Sequence, residues 1–315
     1  MIAFVTGATG CVGYAVCERL LQSGAFSEVR VLVRGDTADV SPGCRVFRGT
    51  LDDTGVLQAA CDGADVVFHA AAQVHSPHAP AADFERVNVG GTTKLLQCAT
   101  GASVTRFIYF STVAVYGEST APEGMDEDTP PAPATPYAQT KLRGECLVTE
   151  WATRTGGVGV LLRLATVYGA RDRGNMSRMA EAIRRGRFVL PGVGANRKTC
   201  VAAQTVAKVA VSAATAASVP SGVPVMVADP GGAVTLREIA LGMARDAGVS
   251  DANALRSVPL PVLRFAARCA EGVFAMLRPG KPAPITAAQV ERLAANNVYH
   301  GTRMAGLLSA GLPRR

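Results

Sequence analysis

"VTGATGCVG", residues 5–13, sets Gly7, Gly10 and Gly13 three apart, directly behind a short apolar run and at the head of a helical stretch. A tight strand-to-helix turn needs a residue without a Cβ, and a backbone approaching a pyrophosphate closely needs another. The helix N-terminus then offers free N–H groups and a positive dipole end to the phosphates. A glycine triplet alone marks many turns; the strand–turn–helix context points to a dinucleotide.

Outward from this loop, apolar runs alternate with helical segments. "IAFVTG", "VRVLVR", "CRVFRG", "ADVVFHAAA", "RFIYFS" and "VGVLLRLATVYG" read as strands, mostly near-continuous in hydrophobicity, as strands covered on both faces should be. "CVGYAVCERLLQSG", closed by Gly24, and "NVGGTTKLLQCAT" and "YAQTKLRGECLVTEWATR" read as helices. Such units predict an α/β fold with a Rossmann-type, doubly wound parallel sheet. Beyond about residue 170 the pattern loosens, and "VPVMVAD" can return one more strand to the sheet. The expected division is a dinucleotide-binding domain over 1–170 plus about 200–230, with a smaller C-terminal α/β substrate lobe over about 171–199 plus 231–315.

Composition narrows the function. With 315 residues and 48% hydrophobic content, the chain can bury a large core. Its eight cysteines include no CxxC pair, which argues against a zinc cage or disulfide framework and for a reducing, cytoplasmic setting. "PLPVLRFAARCAEGVFAMLRPG" is interrupted by Arg264, Arg268 and Glu271, as in an amphipathic helix and unlike a bilayer span. The net charge of +7 is concentrated between residues 171 and 198, where Arg171, Arg173, Arg178, Arg184, Arg185, Arg187, Arg197 and Lys198 face only Asp172 and Glu181. Phe188 is the one aromatic there, so the run reads as a solvated face with anion-binding members and not as a nucleic-acid surface. His75 and His78 form an H-x-x-H on a Pro/Ala-rich loop without a third ligand, which suits the border of a substrate cleft better than a metal.

The spacing G-x-x-G-x-x-G, followed in order by "GTLDD", "FHAAA", "NVGGT", "FSTVAVYG", "YAQTK" and "LRLATVYG", resembles the extended short-chain dehydrogenase/reductase superfamily. That group includes the NAD-dependent epimerase/dehydratase family, nucleotide-sugar ketoreductases, dihydroflavonol reductases and hydroxysteroid dehydrogenases. The resemblance implies a cofactor cradle of Gly7, Thr9, Gly10, Cys11, Val12 and Gly13, then Ala70, Ala71 and Ala72, and finally Leu164, Thr166 and Val167. Thr50 stands before Leu51 where the family has an adenine-binding Asp. At the end of the second strand an acid would hold the ribose of NAD; Arg34 stands there instead and can pair with a 2′-phosphate, so NADP(H) is favoured, with Asp36 and NAD(H) the alternative.

Tyr137 and Lys141, four apart on one helix face, match the family's catalytic Tyr-x-x-x-Lys. A phenol holds its proton tightly near neutrality, and a neighbouring ammonium is expected to lower its pKa and to reach the nicotinamide ribose. Thr112 aligns with the family's hydroxyl that orients the substrate oxygen, with Ser111 and Val113 beside it, and Asn88 with an asparagine whose backbone supports the active-site strand and helix. Val113 and Ala114 replace the Asp-Glu pair of dehydratases, which argues against 4,6-dehydration. The expectation is reduction of the keto group of a small anionic nucleotide sugar, with Asn175 contacting the base and Arg197 and Lys198 the diphosphate. Leu164 in place of a usual proline, and "AAQT" over 202–205 in place of His-Val-x-Asp, leave room for an apolar ketone. The remaining readings are 4-epimerisation with retained NAD and a non-catalytic NADP-binding sensor; a homodimer is compatible with all of them.

Overall fold

A computed structural model of the chain describes residues 1–35, 39–74, 80–117, 123–249, 256–277 and 286–310. Asp36, His75 and His78 lie outside these. The first half runs β1 (Ile2–Thr6), α1 (Cys11–Ser23), β2 (Glu28–Val33), β3 (Arg45–Arg48), α2 (Thr54–Cys61) and β4 (Val66–His69). It continues through α3 (Ala81–Phe84), a π-helical turn over Glu85–Gly90, α4 (Gly91–Gly101), β5 (Arg106–Thr112), β6 (Met125–Asp126), α5 (Pro136–Thr155) and β7 (Val158–Leu164). Then follow β8 (Thr166–Tyr168), α6 (Asn175–Arg184), β9 (Val189–Pro191), β10 (Arg197–Lys198), β11 (Cys200–Ala202), α7 (Ala203–Thr215), β12 (Pro224–Val227), β13 (Val234–Thr235) and α8 (Leu236–Asp246). Three later helices cover Leu260–Leu277, Ala287–Ala294 and Arg303–Ala310.

Seven strands form one sheet in the order β12-β7-β5-β4-β1-β2-β3, every pairing parallel. The continuous apolar runs are explained by the cover on both faces. On one side α1 and α7 place Val16, Leu20, Val206 and Val209 against β1, β2, β5 and β7. On the other, Leu57, Leu95 and Trp151 from α2, α4 and α5 pack on Phe4, Val67 and Phe107. The chain winds outward from β1 through β2 and β3, then returns to β4 on β1's other side. That reversal opens a crevice at the C-terminal ends of β1 and β4, the place where such sheets bind ligands.

Two strand readings change. "VGVLLRLATVYG" is not one strand: it leaves the main sheet at Ala165, and β8 pairs with β11 instead. "ADVVFHAAA" pairs only as far as His69, because Ala70 and Ala71 turn along the glycine loop and donate to Thr6, through its carbonyl at 3.1 Å and its Oγ1 at 3.3 Å. Away from the sheet, α6, β9 and α8 bury Met179, Ile183, Phe188, Leu190, Leu236 and Ala240 in a cluster of their own.

Candidate active site

The crevice is built by glycine geometry. Gly7 has φ +75°, and a Cβ on it would stand 2.6 Å from the Ala71 nitrogen; a Cβ on Gly13 would stand 2.2 Å from the Gly7 carbonyl oxygen. Glycine is therefore required twice, once for conformation and once for contact. Gly10 caps α1 and brings no side-chain acceptor, so the first-turn amides keep their hydrogens for an anion. This open cradle, walled by Ala70 and Ala71, fits a dinucleotide pyrophosphate. Arg34 follows the last residue of β2 and is exposed, at the same edge. The Thr50 hydroxyl donates to Asp53 at 2.8 Å and accepts from the Asp52 amide at 3.1 Å. Leu51 is buried against Gly91, and Leu164 is buried beside Thr112 in register, while Thr166 is exposed.

Tyr137 opens α5 next to Pro136, behind an N-cap in which Thr135 accepts from the Ala138 amide at 3.2 Å. Its phenol lies near Thr112, the last residue of β5, whose hydroxyl accepts from the Ala114 amide at 3.2 Å. Burial pushes the phenol up to about 12, with Thr112 acting the other way. Lys141 is 2% exposed, its Nζ 4.0 Å from the Tyr109 ring centroid. Burial pulls its pKa down to about 7, while Glu145 one turn on opposes this. Desolvation is the largest influence on both groups, and the phenol stays protonated at neutral pH.

Asn88 is engaged through both backbone and side chain, its carbonyl accepting from Thr92 Oγ1 at 2.6 Å. Its side-chain amide accepts from Gln73 N at 2.7 Å, and donates to Gln73 O at 3.1 Å and to Thr140 Oγ1 at 3.0 Å. One buried residue in the π-helical turn thereby ties the loop after β4 to the turn of α5 between Tyr137 and Lys141.

Other expected residues are engaged elsewhere. Ser111 is buried, and its hydroxyl donates to Glu145. Lys198 donates to the carbonyls of Arg292 at 2.9 Å and Ala295 at 2.7 Å and to Asn297 Oδ1 at 2.8 Å, so all three ammonium hydrogens are used in closing the end of helix Ala287–Ala294. Arg197 donates to Ala233 O at 2.8 Å and stays exposed, as does Asn175 at the start of α6. Val113 is buried.

Three features escaped the sequence reading. Glu145 and Arg163 form a buried ion pair at 2.6 Å between α5 and β7; the signal was an arginine inside an apolar strand. His69 is locked between Thr6 Oγ1 at 2.7 Å and Thr92 Oγ1 at 2.9 Å, and burial lowers its pKa to about 3. Arg171, counted only as one of the basic run, lies 3.6 Å over the Tyr14 ring beside the glycine loop and pairs with Asp39 at 2.7 Å.

The model of the NAD dependent epimerase/dehydratase family matches residues 3–228, and the chain belongs to that family. It is 35% identical over 193 residues to the 4-hydroxy-2-methyl-3-oxo-4-farnesyl-3,4-dihydroquinoline-1-oxide ketoreductase of Stigmatella aurantiaca, covering 60% of this chain and 57% of that one. It is 35% identical over 176 residues to the UDP-glucose 4-epimerase of Streptomyces lividans, covering 53% and 52%. The matches thus span about half the length of these curated relatives. Among solved structures, the dTDP-glucose 4,6-dehydratase of Streptomyces venezuelae with NAD and TYD bound superposes with a TM-score of 0.69 at 24% identity, covering 99% of this chain and 96% of that one. That likeness is one of fold.

Proposed function

We propose that the chain is a nicotinamide-dependent oxidoreductase that reduces the ketone of a small molecule to a carbinol. The observation that carries this reading is the proximity of Tyr137, which opens α5, to Thr112, which ends β5, at the sheet edge that also carries the glycine cradle. When bound, the nicotinamide supplies the hydride. Tyr137, protonated at neutral pH, gives its phenolic proton to the substrate oxygen. Thr112 donates a hydrogen bond to that oxygen and fixes its distance from the phenol. Lys141, poised near pKa 7, stabilises the phenolate left by that transfer when it carries its proton. Arg34, exposed at the end of β2, supports NADP(H) over NAD(H).

Relatives that process nucleotide sugars support a sugar-nucleotide ketone. The filled donors of Lys198 favour a second reading, an apolar ketone, since they leave no ammonium hydrogen for a diphosphate. Turnover of NADPH on a panel of nucleotide-sugar and apolar ketones tests both. Reduction on neither side, with NAD copurifying and UDP-sugars interconverting, would replace reduction by 4-epimerisation.

A further inference from the structure

The helix Leu260–Leu277 carries an apolar face that is exposed among the described residues. Val262 is 54% exposed, Phe265 70%, Val273 52%, Met276 79% and Leu277 69%. At 100° per residue these positions, with Ala266 and the exposed Cys269, fall on one side of the helix. The opposite side is the attached one. Ala267 is buried, Arg264 pairs with Glu291 through a second contact at 2.8 Å, and Glu271 accepts from the Ala287 amide at 3.1 Å. The stripe is therefore held outward by one ion pair and one hydrogen bond on the opposite side of the helix.

We infer that this stripe docks on an anionic lipid surface. Five side chains of this size expose on the order of 500 Å² of apolar surface, at the upper end of what a monomer leaves bare. From Arg256 to Arg292 the sequence places six cations against two carboxylates, in a chain whose net charge is +7. Arg268 stands exposed at the border of the stripe. An apolar face edged by arginine is the pattern of a helix lying in the plane of a headgroup layer, its apolar side among acyl chains and its cations at the phosphates. No described helix is long and apolar enough to cross a membrane, so the contact is peripheral. A second copy fits less well. The stripe falls short of the roughly 800 Å² per partner of a standard interface, and pairing would oppose two basic borders.

The inference is independent of the chemistry proposed above, because vesicle binding is read without turnover. The full chain should float with phosphatidylglycerol–phosphatidylcholine vesicles, less with phosphatidylcholine alone, and less at high salt. The double variant Phe265→Ser/Met276→Ser should lower partitioning about tenfold or more without moving the melting temperature, since both side chains are exposed. Arg268→Gln should weaken binding to the anionic vesicles only. A parent that stays unbound with both vesicle types would overturn the inference, as would a double variant that floats like the parent. So would a parent that is dimeric without lipid and becomes monomeric in the double variant, which would assign the stripe to a second copy.

Discussion

Lys141 is a residue whose charge state is set by burial. Its pKa falls from 10.5 to about 7 through burial. The sign follows directly: between pH 7 and about 10 the unfolded chain holds a proton on this lysine that the folded chain has lost, so stability from this group rises with pH. Relative to Lys141→Met, the parent should gain up to about 2 kcal/mol between pH 7 and 9, read from urea denaturation at each pH. A flat difference would mean the ammonium is not desolvated. At the other end of the crevice, Arg34→Asp should weaken NADPH far more than NADH, because it replaces attraction to a 2′-phosphate by repulsion. Fluorescence titration of both cofactors checks this, and equal losses would remove the NADP preference. Whereas Thr112, Tyr137 and Lys141 are singled out by resemblance to a family motif, the glycine turn could be read in the sequence because it owes its residues to local geometry. The filled valences of Lys198 and Ser111 could not: they depend on carbonyls and a carboxylate 34 to 99 residues away.

At the scale of elements, α5 is the part that must not move, since it carries both Tyr137 and Lys141. It is fixed at two points. Asn88 grips Thr140, and the Glu145–Arg163 pair ties its middle to β7. Gly144 lets it settle on the sheet, because a Cβ there would fall 2.0 Å from the Tyr109 hydroxyl. Glu145→Gln leaves the Arg163 guanidinium buried without its counter-charge, which should cost about 3–5 kcal/mol by chemical denaturation; a loss under 1 kcal/mol would show that water or Tyr116 compensates. For helix Ala287–Ala294, Lys198→Met should lower stability without raising KM, whereas a KM change alone would return that lysine to the substrate site. Periodicity located all these elements, but two boundaries slipped. β4 ends early and β7 breaks at Ala165 because hydrogen-bond partners, not hydrophobicity, decide where a strand stops.

For the whole molecule, the order of strands does what no single motif can. Winding outward through β2 and β3 and back through β4 and β5 brings residues 7–13, 70–71, 112 and 137 to one edge from four separate stretches of chain. The alternation of apolar runs with helices predicted this sheet, since strands buried on both faces leave a legible signature. The late helices were legible as helices, yet not as a surface, for amphipathicity does not say whether its apolar side meets the core or the outside. The central claim is that the assembled edge performs acid–base chemistry through one phenol. Tyr137→Phe keeps the ring and its packing while deleting the proton. On whichever ketone the parent reduces, the variant should bind cofactor with unchanged affinity and turn over about 10²-fold more slowly or worse. A Tyr137→Phe protein that reduces the ketone at the parental rate would contradict the account.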